Sequence, residues 1–197
     1  MDKKIAFIHI PKAAGGSLRK WAKDNKNKNF SYIGHISLPE YIKNNPNLVY
    51  YKSFTITRNT YTRMLSLYNF AKSKHLKMLK QVKTGNKRRL STNDVKTINN
   101  ELDAWEKGIV YYLDYILEYR FDFHDQLKYI QDVDIVIPYE NLKNDFYIIQ
   151  DLTKCYSPLV QSVHTYKTKA VTNMSKQYLD CINKHFEKEI DFFQYTP

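Results

Sequence analysis

"KIAFIHIPKAAGGSLRKWAK", residues 4–23, decides the fold. Residues 4–10 are an apolar run of β-branched and aromatic side chains, the pattern of a buried strand. Pro11 and Lys12 end the run. Gly15 and Gly16 then supply a tight turn, in a chain that holds only five glycines. Residues 16–25 read as a helix. A strand feeding a glycine turn and then a helix builds an anion site, because backbone N–H groups converge where the positive end of the helix points. Lys12 adds a cation and Ser17 a hydroxyl. The order is not that of a Walker A loop, in which Lys follows the glycines. An ordinary Mg-ATP kinase or GTPase is therefore a poor fit.

The same alternation continues outward. "FSYIGHI", 30–36, reads as a short strand presenting Gly34 and His35 at its end. Residues 37–44 read as a helix with Ser37 as N-cap, Pro39 in the first turn and Glu40 three residues after the cap. "SFTITR", 53–58, has strand composition, and from Thr60 the apolar residues recur at helical spacing. Arg58 and Asn59 thus occupy a second strand-to-helix junction. The polar stretch at about 72–100 reads as a variable excursion. Its basic run at 87–89 reads first as a solvated loop. Residues 101–119 read as one apolar helical stretch, 132–138 as a strand, 139–153 as a helix, 157–173 as a loop and 175–195 as an amphipathic helix. The expectation is an α/β fold in one domain over 1–197, with a central, mostly parallel sheet flanked by helices.

Composition narrows the class. The 197 residues are 43% hydrophobic and 26% charged, ordinary for a globular domain. No apolar run of membrane-spanning length occurs, and the N-terminus reads as a core strand and not as a signal peptide. Two cysteines, Cys155 and Cys181, are too few for a disulfide framework and form no metal site with a nearby His pair. They read as buried thiols in a reducing cytoplasm. The net charge of +11 favours an anionic partner, although lysines scattered along helices form a solvated face in most proteins.

The two turns together carry more than either alone. Ligands in parallel α/β sheets bind at the carboxyl ends of the strands, and both turns lie there. Arg58 ends one strand, Ser66 follows eight residues later on the helix, and both can reach one phosphate. Arg63 is a further candidate, or else a partner for a surface carboxylate.

"PKAAGGS", 11–17, and "TRNTYTRMLSLY", 57–68, resemble the two nucleotide-binding signatures of sulfotransferases that use 3′-phosphoadenosine 5′-phosphosulfate (PAPS). The resemblance is to the carbohydrate-type group, which includes heparan sulfate 2-O-sulfotransferases and bacterial relatives. "GHIS" at 34–37, "YENL" at 139–142 and "FEKEIDFFQY" at 186–195 follow in the family's order. Three departures stand out. Ala13 replaces a usual Thr, Gly16 a usual Thr or Ser, and Thr60 a usual Pro.

The resemblance implies a P-loop-like sulfotransferase fold and a donor site for PAPS, with PAP as product and no metal. Ser17 and the N–H groups around Ala14, Gly15, Gly16 and Leu18 would hold the 5′-phosphosulfate. Arg58 and Ser66, with Arg63 beside them, would hold the 3′-phosphate. Lys12 would neutralise charge on the leaving oxygen. His35 is the candidate general base, with His164 as second choice; its ordinary pKa of about 6.5 suits the role. The acceptor would be a glycan or another hydroxyl compound. Glu140 reads as a brace for the fold or the donor site. His9 reads as a core histidine, and His75, His124 and His185 as surface residues. Two other readings stay open: a basic module that binds nucleic acid or another polyanion, and a sulfotransferase fold that has lost turnover. Association with a membrane surface would suit the charge.

Overall fold

The computed structural model describes residues 4–46, 50–83, 92–159 and 174–197. Four parallel strands form one sheet: β1 (Lys4–Ile8), β2 (Phe30–Gly34), β3 (Tyr50–Thr57) and β4 (Ile135–Pro138), in the order β2-β1-β3-β4. All four coincide with expected strands. Helix α1 (Gly15–Asp24) links β1 to β2, and α2 (Leu38–Asn44) links β2 to β3. Helices α3 (Thr60–Lys83), α4 (Thr92–Glu106), α5 (Ile109–His124) and α6 (Gln126–Ile130) separate β3 from β4. A single 3₁₀ turn, Tyr139–Asn141, leads into α7 (Leu142–Thr153), and α8 (Lys176–Phe193) follows.

β1 is central, so Ala6, Phe7 and Ile8 are completely buried and Phe7 stacks on Phe54 of β3 with ring centroids 4.9 Å apart. Leu18 and Trp21 of α1 and Phe146 and Ile149 of α7 join this core, with Trp21 edge-on to Phe146 at 5.3 Å. A second apolar cluster lies among helices: Met64 of α3, Leu113 and Ile116 of α5, and Ile182 and Phe186 of α8. Asp134 aligns β4 on β3, accepting from the Ser53 N–H at 2.7 Å and from its hydroxyl at 2.6 Å.

Two expectations need correction. The stretch at 72–100 is not an excursion throughout, because α3 runs on to Lys83 and α4 begins at Thr92. The apolar run 101–119 is not one helix. It breaks between Glu106 and Ile109, where Gly108 adopts φ +110°, a conformation few other residues reach. The basic run at 87–89 and His164 lie outside the described residues, as does the His75 side chain.

Candidate functional site

The strand order creates a crevice. From β1 the chain moves to one side to form β2, then returns past β1 to form β3 on the other side. Connections leaving adjacent strands in opposite directions open a gap at their carboxyl ends, the usual ligand position in such sheets. The segments after β1 and β3 both lie at this gap. Arg58 Nη1 joins them, donating to the Lys12 carbonyl at 3.2 Å.

The first segment is tightly wound. Lys12 has φ +68° and Ala14 φ +57°, both left-handed without being glycine. Such residues stay so only where the surroundings hold them. Ala14 is the N-cap of α1, and its carbonyl accepts from the N–H groups of Ser17 (2.9 Å) and Leu18 (3.1 Å). Those two amides are therefore engaged within the turn. Leu18 is completely buried and its side chain belongs to the core.

The glycine pair divides its work. A Cβ on Gly15 would fall 1.9 Å from Nε2 of His9, so any side chain there would force the His9 ring to move. A Cβ on Gly16 would meet nothing within 4 Å, and Gly16 faces open space at the helix N-terminus.

Lys12 is half-buried, with Nζ 4.0 Å from the centre of the Phe70 ring. Burial, aided by the Arg58 charge, pulls its pKa down to about 8. Arg58 is 8% exposed. Its Nε donates to Thr62 Oγ1 at 3.2 Å, and its guanidinium lies 4.6 Å from the centre of the Tyr139 ring. Gln126 of α6 clamps the Arg58 backbone: Arg58 N–H donates to Gln126 Oε1 at 2.8 Å, and Gln126 Nε2 donates to the Arg58 carbonyl at 2.9 Å. The Asn59 N–H donates to Glu140 Oε1 at 2.9 Å, so Glu140 does brace this turn. Ser66 is buried on α3.

His35 sits just after β2, exposed on one side and edge-on to Phe123 at 5.2 Å. Its Nδ1 is 2.9 Å from the His9 carbonyl oxygen. A carbonyl only accepts, so Nδ1 carries the proton and Nε2 presents a lone pair. Burial lowers the His35 pKa below its ordinary value, which favours this neutral form. The His9 ring lies 4.2 Å from that of His35, centre to centre, and its Nδ1 pairs with the Tyr32 hydroxyl. Burial first, then the neighbouring His35, pulls the His9 pKa down to about 3.

Arg63 is a correction. It is completely buried, with Nη2 donating to Glu189 Oε1 of α8 at 3.1 Å and to the His124 carbonyl at 2.7 Å. Its carboxylate partner is internal, and the residue holds α3 to α8 in place of facing a ligand. His124 is likewise not a surface residue; it is 4% exposed. Thr60, standing where the family pattern has Pro, donates its hydroxyl to the same Glu189.

Thr62 and Gln126 escaped the reading of the sequence. Thr62 lies one helical turn beyond Arg58, a spacing that points to it. Gln126 has no such signal, since it lies 68 residues away and only the packing of α6 under β3 brings it in. No family model matches the chain, nor does any curated protein or solved structure.

Proposed function

We propose that the chain is a sulfotransferase that moves a sulfuryl group from PAPS to a hydroxyl of an acceptor, a carbohydrate by the resemblance of its motifs. The observation that carries the reading is the meeting of the Lys12–Ser17 turn and Arg58 at the carboxyl ends of β1 and β3, tied by the bond from Arg58 Nη1 to the Lys12 carbonyl. Open space above Gly16, a buried Arg58, a half-buried Lys12 and a helix N-terminus fit a ligand with several anionic groups.

PAPS would supply an activated sulfuryl group whose bond to the bridging oxygen breaks as the acceptor oxygen bonds to sulfur. Lys12, half desolvated, would stabilise the negative charge that the leaving oxygen gains. His35 Nε2, already unprotonated, would take the proton from the acceptor hydroxyl. Arg58, with Ser66, would bind the 3′-phosphate, and the guanidinium fork suits such a group. Among the described residues no helix is long and apolar enough to cross a membrane. With Cys155 and Cys181 both free thiols, we assign the enzyme to the cytoplasm.

The test is a melting experiment with PAP, using ADP and AMP as controls. At 100 times its dissociation constant a native-state ligand adds about 2.7 kcal/mol. For a chain of this length that is roughly 5–11 °C. A shift specific to the 3′-phosphorylated compound, lost in Arg58→Ala, is expected. No shift at millimolar PAP would overturn the reading and leave the polyanion-binding alternative.

A further inference from the structure

Apart from the strand ends, α5 and α8 bring three metal-binding side chains to one point. Cys181 and His185 are four residues apart on α8, a spacing that puts both on one face. Asp114 of α5 meets them. Its Oδ1 lies 3.6 Å from Cys181 Sγ and 3.0 Å from His185 Nε2. The three ligand atoms all lie within 4.8 Å of one another. Cys181 is buried against the helical core, His185 is half-buried and Asp114 is exposed. The cluster therefore has a closed inner side and an outer side open to water. A reading of the sequence that looks for His pairs passes over this Cys-x-x-x-His arrangement, and its third ligand lies 67 residues upstream of Cys181.

We propose that Asp114, Cys181 and His185 form a zinc site. One sulfur, one imidazole nitrogen and one carboxylate oxygen are a donor set that suits zinc and not magnesium or calcium. The spacing fits as well. Tetrahedral zinc with its ordinary bond lengths places sulfur about 3.6 Å from a carboxylate oxygen and nitrogen about 3.4 Å from it. The observed 3.6 Å needs no change, and the observed 3.0 Å needs opening by a few tenths of an ångström within two side chains. Without a metal, Asp114 Oδ1 accepts from the Cys181 thiol and pairs with His185, so one oxygen already gathers both of the other donor atoms. Zinc binding would release the Cys181 proton to solvent, and a water would complete the coordination on the exposed side. The ion would clip α5 to α8, on the helix whose Glu189 holds the start of α3. The cluster shares no residue with Lys12, His35 or Arg58, so this inference is independent of the sulfuryl-transfer reading.

The test uses the whole chain, treated with chelator and titrated with Co²⁺. Expected are a thiolate-to-cobalt charge-transfer band saturating at one cobalt per chain, its loss on adding Zn²⁺, and a melting temperature raised by roughly 5 °C or more with zinc in excess. Asp114→Asn sits at an exposed position and leaves both helices intact by circular dichroism. It is expected to weaken cobalt binding by more than about tenfold, since even loss of an outer-shell partner costs that much. His185→Ala is expected to do the same. Absence of the band in the parent protein overturns the proposal. So does a band of unchanged affinity in Asp114→Asn and His185→Ala, which would mark a thiol acting alone.

Discussion

Gly15 and Gly16 look alike in the sequence and differ in what surrounds them. The His9 ring, held by Tyr32 and tilted against His35, occupies the space a side chain at Gly15 would need. Gly15→Ala is expected to cost about 1–3 kcal/mol by overpacking. Urea denaturation measures it, and the cost should shrink in a His9→Ala background, where the obstructing ring is gone. Gly16→Ser should change stability by less than about 0.5 kcal/mol, because open space faces it. His35 offers a kinetic counterpart. If it is the base, His35→Ala lowers turnover by about 10²–10⁴-fold. Its pKa is lowered, so the base is unprotonated at neutral pH and the acid limb of the rate profile should fall below the ordinary imidazole value of 6.5. An unchanged profile in His35→Ala would remove it from the mechanism.

Helices α3, α6 and α8 meet at one buried carboxylate. Glu189 accepts from Arg63 Nη2, from the Gln126 N–H at 2.7 Å, from Gln126 Nε2 at 2.8 Å and from the Thr60 hydroxyl. Removing it leaves a buried guanidinium without its counter-ion, and the Gln126 N–H and the Thr60 hydroxyl without this acceptor. Glu189→Ala is therefore expected to cost about 3–5 kcal/mol. Thermal and urea unfolding would show it, and a loss under 1 kcal/mol would mean that water takes the carboxylate's place. The network also matters to the candidate site, since Gln126 holds the Arg58 backbone with its other contacts. At the far end of α8, Ser175 caps the helix by accepting from the Tyr178 N–H at 3.2 Å. Ser175→Ala should cost about 1 kcal/mol, measured in the same way.

Over the whole molecule, the buried His124 and the half-buried His9 set an acid limit. His9 and His124 are each pulled down to about 3, chiefly by burial. Unfolded, both titrate near the ordinary value of 6.5. Between those values the unfolded chain binds more protons than the folded one, so stability falls as pH is lowered. The contribution is complete above 6.5. Each group lowers stability by up to about 1.4 kcal/mol per pH unit in this window. Urea midpoints at successive pH values from 7 to 5 should fall, and more gently in His9→Gln. This interval lies above the titration of Asp134, whose carboxyl is held low by its bonds to Ser53. A flat profile would mean that the two rings are reached by water in solution.

Local pattern was enough for the four strands, the helix after each of them, the closing helix α8 and both strand-end turns. Those features follow from side-chain periodicity and from where Pro, Gly and cap residues fall, all of which act over a few residues. Folding had to settle the rest, because it depends on residues far apart in the chain. Arg63 and Arg58 are five residues apart and equally basic, yet one turns inward to Glu189 and the other stays at the crevice, held by Gln126 and Lys12. His124 reads as polar and is buried because α5 ends under α3. Gly108 interrupts an apolar run that periodicity alone would continue. For the two arginines and His124 the deciding partner lies outside any local window, and burial removes the water that would otherwise leave the choice open.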